Sequence, residues 1–106
     1  MADAGYDVWM GNARGNYYSR KHLKLNPDKD EEFWNFSWDQ IGYYDLPAMI
    51  DHILKTTGKD KLHYVGHSQG GADFFVMTSE RPEFNEKILL MQGLAPAVFM
   101  SHCKSL

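Results

Sequence analysis

Residues 62–77 have the sequence LHYVGHSQGGADFFVM, and this stretch decides the fold that we expect for the chain. An apolar run typical of a buried strand comes first, a glycine-rich turn follows, and a helical pattern leaves the turn. Before this stretch we predict a helix over residues 36–57, and after it a strand over residues 88–94. Strands that alternate with helices favour a parallel sheet with helices on its faces, which is an α/β fold.

Local signals mark the ends of the long predicted helix. Ser37 followed by Gln40 is the pattern of a capping box, and Gly58 suits the C-terminal end of the helix. Pro47 lies inside the helical pattern, and proline disturbs the backbone hydrogen bonds of a helix. We therefore expect a kink or a break near Leu46.

The rest of the chain supplies shorter elements. Strands are predicted over residues 6–10 and 61–65, and a second helix runs from residue 68 or 69 to about residue 79. Residues 11–30 are polar and rich in turn formers, which is typical of a long surface loop. The apolar side chains of the second helix that we expect in the core are Phe74, Phe75 and Met77.

Composition and charge exclude several classes of protein. Lys and Arg number 11 against 14 Asp and Glu, and the resulting net charge of −3 argues against a nucleic-acid-binding protein. No run approaches the ~20 apolar residues of a transmembrane segment. The first residues lack the basic and apolar regions of a signal peptide, so none is predicted in this chain. The single cysteine, Cys103, excludes an intrachain disulfide and a multi-cysteine zinc site, and we assign it no role.

Gly66, Ser68 and Gly70 form a G-x-S-x-G pattern between the predicted strand and helix. In a nucleophile elbow the serine occupies a sharp, strained turn, where a Cβ two residues before or after it is expected to clash. We therefore predict Ser68 as the nucleophile and Gly66 and Gly70 as structural residues of the elbow. The backbone N–H of Gln69, at the start of the helix, is predicted to hold the oxyanion of a tetrahedral intermediate.

Two other interpretations of the same residues are open. The glycines can simply make a tight turn, with Ser68 as the cap of the following helix. A dinucleotide-binding fingerprint, G-x-G-x-x-G, is the competing motif, but it requires glycine at position 68. The strand before the motif and the helix after it favour the nucleophile elbow.

The stretch from Tyr64 to Gly70, YVGHSQG, resembles the nucleophile segment of the acid lipase family, which includes gastric lipase and lysosomal acid lipase. Residues 2–16, 32–38, 44–48 and 94–96 are similar to further segments of that family, in the same order. The variant WNFSW at residues 34–38 is similar to insect members.

The resemblance implies a three-layer α-β-α fold of the α/β-hydrolase type with a short, mostly parallel sheet. Residues 1–106 then form an incomplete, central segment of a lipase domain. Family members cleave neutral lipid esters, triacylglycerols or cholesteryl esters, in a secreted or lysosomal setting, so a lipid–water interface is an expected partner. Neither a cofactor nor a metal is expected.

The resemblance also implies that parts of the catalytic machinery lie outside this chain. The order of an α/β-hydrolase triad is serine, acid, histidine. After Ser68 the only histidine is His102, and Asp73, one helical turn along, is expected to point away from the position of the base. We therefore expect a serine ester hydrolase segment that is close to inactive by itself. The alternative is a catalytically inactive truncated product that binds lipid or protein.

Overall fold

The structure, a computed structural model, describes residues 1–102, and Cys103 lies outside the described residues. The chain divides into two compact units, residues 1–35 and a second unit that begins at Phe36. Over the described range no helix combines the length and the apolar character that crossing a membrane requires.

The first unit consists mainly of irregular segments and turns, with short 3₁₀ segments at Ala2–Ala4 and Glu31–Trp34. The strand predicted over residues 6–10 is wrong. These residues are irregular, and Tyr6 and Met10 are largely exposed. A strand is stable only when its N–H and C=O groups pair with a neighbour. Within residues 1–102 the only sheet joins two later segments.

The predicted loop over residues 11–30 is confirmed, and side-chain contacts organise its second half. Arg20 forms an ion pair of 2.6 Å with Asp28, and its guanidinium lies 5.2 Å from the ring centroid of Trp34. The Trp34 indole N–H donates to the Pro27 carbonyl at 2.9 Å. Phe33 is buried and packs edge-on against Trp34.

The long predicted helix is present in three consecutive parts: α1 (Trp38–Gln40), a π-helical turn (Ile41–Asp45) and α2 (Leu46–Thr57). The capping box is confirmed, because the Ser37 side chain accepts from the backbone N–H of Asp39 and the Gln40 side chain accepts from the Ser37 N–H. Gly58 ends α2 with a φ of 69° and donates its N–H to the Leu54 carbonyl at 2.9 Å.

The irregularity expected near Leu46 is confirmed, and it takes the form of the π-helical turn. Pro47 is the second residue of α2 and is buried. Proline has no N–H, and in a continuous α-helix its ring would clash with the carbonyl four residues earlier. The π-helical turn over residues 41–45 interrupts the α-helical hydrogen-bond pattern just before Pro47. A new α-helix, α2, therefore begins at Leu46 and has proline in its first turn.

The sheet of the second unit has two parallel strands, β1 (Leu62–His67) and β2 (Ile88–Leu94). Between them lie α3 (Gln69–Glu80) and a 3₁₀ segment (Pro82–Lys87). This strand–helix–strand order with parallel pairing confirms the predicted α/β class. In the register Gly66 pairs with Gly93 and His67 with Leu94, so the two strands end side by side.

The core lies between α2, α3 and the sheet. Phe74 and Met77 are buried as predicted, whereas the prediction for Phe75 is wrong because its side chain is 44% exposed. Residues 74 and 77 share one face of α3, and residue 75 is turned about 100° away from Phe74. The buried members of the core cluster are Ile50, Phe74, Met77 and Phe84.

Candidate active site

Ser68 connects the last residue of β1 directly to the first residue of α3. Its φ is 52° and its ψ is −116°. Glycine populates this region of backbone space readily, whereas residues with a Cβ are strained there. The predicted sharp junction at position 68 is therefore present, and it holds a strained residue that has a side chain.

Three backbone hydrogen bonds hold this strained residue. Its N–H donates to the Leu94 carbonyl at 3.1 Å. Its carbonyl accepts from the N–H of Gly71 at 3.0 Å and from the N–H of Ala97 at 3.0 Å. Two of these bonds come from the end of β2 and the segment after it, so the sheet and its continuation fix the conformation of the turn.

The Ser68 side chain is exposed and does not cap the helix. A helix cap has an extended backbone and a side-chain oxygen that accepts an N–H of the first turn. Ser68 has neither feature, so the interpretation as a simple cap is wrong. Within residues 1–102 its hydroxyl has no hydrogen-bond partner.

The glycines around Ser68 differ in how much space surrounds them. A Cβ at Gly66 would lie 2.8 Å from the carbonyl carbon and oxygen of Gly70, so the clash predicted for Gly66 is confirmed. The clash predicted for Gly70 is wrong, because the nearest atom to a Cβ there is the Tyr64 hydroxyl at 3.7 Å. A Cβ at Gly71 would lie 2.4 Å from the Cβ of Pro96. Sequence reasoning missed Gly71, because Pro96 reaches it only through the tertiary fold.

Gln69 is the first residue of α3. Its backbone N–H has no hydrogen-bond acceptor within the helix, because no helical carbonyl precedes it by one turn. The positive end of the helix dipole lies at this N-terminus. Beside the exposed hydroxyl of Ser68, such an N–H suits a developing negative charge.

Tyr64 of β1 contacts the first turn of α3, and sequence reasoning did not single out this residue. Its hydroxyl donates to the Gly70 carbonyl at 2.8 Å, and its ring centroid lies 4.8 Å from that of Phe74. Burial, with the nearby Asp73 carboxyl, raises the pKa of Tyr64 to about 12. The phenol therefore stays protonated and keeps its donor role.

Asp73 lies one turn along α3 and is only 6% exposed. Its Oδ1 has no hydrogen-bond partner among the described residues. Burial raises the pKa of the Asp73 carboxyl to about 6; a hydrogen bond from the Gln69 side chain opposes this shift, and the charge of Asp45 adds to it. The sequence signal was an acidic residue in an otherwise apolar helical stretch.

The described residues do not bring a histidine base to Ser68. His63, His67 and His102 are all exposed, and none of them bonds to the Ser68 hydroxyl. Over residues 1–102 no group of three or more His, Cys, Asp or Glu side chains is arranged to hold a metal ion. The site that these residues form is an exposed serine followed directly by the first N–H of α3.

Comparison of the sequence with known proteins identifies the family of the chain. Residues 1–105 match the model of the alpha/beta hydrolase fold family. The chain is 65% identical over 99 residues to Lipase 1 of Drosophila melanogaster, covering 93% of this chain and 22% of that protein. It is 52% identical to gastric triacylglycerol lipase of Bos taurus and 50% identical to lysosomal acid lipase/cholesteryl ester hydrolase of Macaca fascicularis. These two matches cover 100% and 99% of this chain and 26% of each relative.

The chain thus spans about a quarter of the length of the curated relatives that it matches. Mammalian and insect relatives match it over nearly the same residues, and these residues include the Ser68 junction. The chain therefore belongs to the alpha/beta hydrolase fold family, and its relatives within that family are the acid and gastric lipases.

Proposed function

We propose that this chain carries the nucleophile segment of a lipase-type serine carboxylic ester hydrolase, with Ser68 as the nucleophile. The observation that carries the proposal is the conformation of Ser68, whose φ of 52° coincides with an exposed hydroxyl at a strand-to-helix junction. Backbone strain in a residue that has a Cβ persists only where the surrounding structure holds it, and such residues concentrate at functional sites.

The proposed reaction has two halves. In the first, the Ser68 oxygen bonds to the ester carbonyl carbon while its proton passes to a general base. The oxyanion that forms accepts a hydrogen bond from the backbone N–H of Gln69. The alcohol then leaves with a proton from the same base. In the second half, water attacks the acyl-enzyme, the carboxylic acid is released, and Ser68 regains its proton.

The base, its acidic partner and a second oxyanion donor are proposed to come from residues outside the described set. The support is that the Ser68 hydroxyl has no partner within residues 1–102. A serine hydroxyl without a base is a poor nucleophile at neutral pH. On this proposal residues 1–106 are a central segment of a larger hydrolase domain, and the segment alone is close to inactive.

The proposed substrates are neutral lipid esters, either triacylglycerols or cholesteryl esters, met at a lipid–water interface. The support is the names of two relatives, a gastric triacylglycerol lipase and a lysosomal acid lipase/cholesteryl ester hydrolase. A secreted or lysosomal location is proposed on the same support.

A fluorophosphonate probe tests the proposal, because such probes react with activated serines. The protein expressed from its complete coding sequence is labelled next to the 106-residue chain, and the labelled peptide is identified by mass spectrometry. Ser68→Ala is compared with a control, Ser79→Ala, which removes a hydroxyl that donates to the Phe75 carbonyl within α3. We expect labelling and trioleoylglycerol hydrolysis in the protein from the complete coding sequence, both lost in Ser68→Ala and both kept in Ser79→Ala.

Four results would count against the proposal or a part of it. Label on another serine, or hydrolysis that survives Ser68→Ala, would remove Ser68 from the reaction. Rapid labelling of the 106-residue chain alone would refute the proposal that the base lies outside it. Lipid or protein binding that is unchanged in Ser68→Ala, without any hydrolysis, would favour the alternative of a binding module.

A further inference from the structure

Asn35, Phe36 and Ser37 form an N-x-S sequence that the proposed reaction does not use. Such a sequence, with any residue except proline in the middle, is the acceptor for N-linked oligosaccharides in secreted proteins. The chain has five asparagines, and Asn35 is the only one with a serine or threonine two positions later. The motif therefore selects one side chain as a candidate for modification.

Both ends of this sequence are at the surface. Asn35 and Ser37 are exposed, and only Phe36 between them is partly buried. The three residues belong to no helix or strand, since the 3₁₀ segment Glu31–Trp34 ends before them and α1 begins after them. An oligosaccharide is bulky and strongly hydrated, so only a surface side chain can carry one. Asn35 meets this requirement.

The side-chain amide of Asn35 has no hydrogen-bond partner among the described residues. Other asparagines of the chain use their side chains in the fold. Those of Asn16 and Asn26 accept backbone N–H groups in turns, and that of Asn85 donates to two backbone carbonyls. A glycan replaces one of the two amide hydrogens, so at Asn35 it removes no hydrogen bond of the fold.

The backbone at Asn35 is held in place by residues that precede it. Its N–H donates to the Glu32 carbonyl at 3.1 Å. Phe33 is buried, and the Trp34 indole N–H donates to the Pro27 carbonyl at 2.9 Å. A glycan at Asn35 would therefore extend into solvent from a fixed point of the chain.

Ser37 uses in the folded structure the same hydroxyl that the modification needs. This hydroxyl donates to Oε1 of Gln40 at 3.0 Å and accepts the N–H of Asp39 at 3.3 Å. Serine and threonine have a hydroxyl in common, so the transferase recognises that group at the third position of its acceptor. In the capping box the hydroxyl is already engaged. Transfer therefore precedes the formation of α1, as in a chain that is still being synthesised.

We propose that Asn35 carries an N-linked oligosaccharide. This inference rests on the proposed secreted or lysosomal location. The donor is an oligosaccharide joined to a lipid through a diphosphate. The Nδ2 atom of Asn35 bonds to the anomeric carbon of the first sugar as the bond from that carbon to the diphosphate oxygen breaks. The lipid diphosphate leaves with the electron pair, and the nitrogen passes one of its two protons to a base of the transferase.

The test expresses the protein from its complete coding sequence in cultured insect cells and recovers it from the medium and the lysosomal fraction. Its peptides are treated with peptide N-glycosidase A in heavy-oxygen water, which leaves the heavy isotope at every asparagine that carried a glycan. Mass spectrometry then locates the isotope, and gel electrophoresis measures the size of the intact protein.

Four variants separate the acceptor sequence from the helix cap. Asn35→Gln removes the acceptor amide. Ser37→Asp removes the hydroxyl but keeps a side chain that caps a helix, and Ser37→Thr keeps both roles. Asn12→Gln is the matched control, because Asn12 is also exposed and is not part of an acceptor sequence.

We expect the heavy isotope at position 35 in the parent, in Asn12→Gln and in Ser37→Thr. It should be lost in Asn35→Gln and Ser37→Asp, and both proteins should run faster on the gel by the size of one oligosaccharide. If Ser37→Asp does not fold, Asn35→Gln still decides, because it changes an exposed side chain that has no partner among the described residues.

An unmodified Asn35 in protein recovered from the medium or the lysosomal fraction would overturn the inference and leave the proposed location intact. A protein found only in the cytosol would overturn the location and the inference together. Modification that persists in Ser37→Asp would show that the N-x-S sequence is not what is recognised, which also overturns the inference. Fluorophosphonate labelling of Ser68 in the same preparations tests the proposed nucleophile separately.

Discussion

Gly58, Ser68 and Ala95 have a positive φ in the second unit, and the turns at Gly58 and Ser68 are supported in opposite ways. Gly58 ends α2 with a φ of 69°, and a Cβ built on it would meet nothing within 4 Å. Ser68 begins α3 with a φ of 52°, carries a side chain, and is held by three backbone hydrogen bonds. Glycine makes the first turn without strain, whereas the second turn exists only because the surrounding sheet and helix hold it. On the proposed function, serine is kept at position 68 for its hydroxyl, in spite of the strain that its backbone conformation imposes.

The largest effect is expected when Ser68 is replaced by glycine, the residue found at position 58. Ser68→Gly removes the hydroxyl and the strain together, so kcat should fall by at least about a thousandfold while the protein becomes more stable by about 1 kcal/mol. Kinetics and chemical denaturation of the same preparation check both effects. A variant that loses stability would show that the backbone of Ser68 is not strained.

Gly71 and Gly70 test how closely the segment after β2 packs on the junction. They are neighbours in the first turn of α3 but have very different surroundings. Gly71→Ala places a Cβ 2.4 Å from the Cβ of Pro96 and should cost about 1–3 kcal/mol. Gly70→Ala meets only ordinary contact distances, so it should be neutral or slightly stabilising, since alanine favours helix. Urea denaturation of the two variants measures the difference. Equal losses would mean that the segment after β2 does not pack on the junction.

Asp73 predicts a pH dependence whose sign follows from its pKa of about 6, raised chiefly by burial. An unfolded Asp has a pKa near 4, so the folded state binds this proton more tightly, and this residue's contribution to stability falls as the pH rises from about 4 to about 6. Asp73→Asn lacks that loss. We expect it to exceed the parent by about 1–3 kcal/mol at pH 7.5 and to approach the parent at pH 4.

Thermal unfolding of both proteins across this pH range measures the difference. A gap between them that is the same at both ends of the range, or that widens toward acid, would contradict a carboxyl whose charged form is destabilised by burial.

The last prediction concerns the turn at Gly58, where we expect a loss of stability alone. Gly58→Ala places a Cβ in a left-handed conformation and should cost about 1 kcal/mol, with kcat unchanged. Denaturation and kinetics again check the two parts. If Gly58→Ala lowered kcat as much as Ser68→Gly, the result would contradict our expectation that activity depends on the turn at Ser68 and not on the turn at Gly58.

The features that local chemistry determines could be predicted from the sequence. The capping box at Ser37 and Gln40, the end of α2 at Gly58 and the parallel strand–helix–strand order around Ser68 all depend on residues a few positions apart. Such signals act within one or two turns of chain, so periodicity and turn chemistry are sufficient to place them.

The features that were missed depend on residues far apart in the sequence. The strand expected over residues 6–10 is absent, because forming it requires a partner strand. The steric requirement lies at Gly71 rather than Gly70, because it depends on where Pro96 packs. Asp73 is buried, and the π-helical turn approaches it so closely that a Cβ at Gly42 would lie 2.7 Å from its carbonyl oxygen. Local patterns carry no information about these distant neighbours.

The proposed role of Ser68 is tested most directly by trapping its acyl-enzyme. The protein from the complete coding sequence is mixed with p-nitrophenyl butyrate and quenched in acid within the first turnover. It is then digested, and the masses of the peptides are measured by mass spectrometry. The peptide that contains Ser68 should carry one butyryl group, and the group should disappear as the ester is exhausted. A butyryl group on a different residue, or full turnover with no group on this peptide at any time, would contradict Ser68 as the nucleophile.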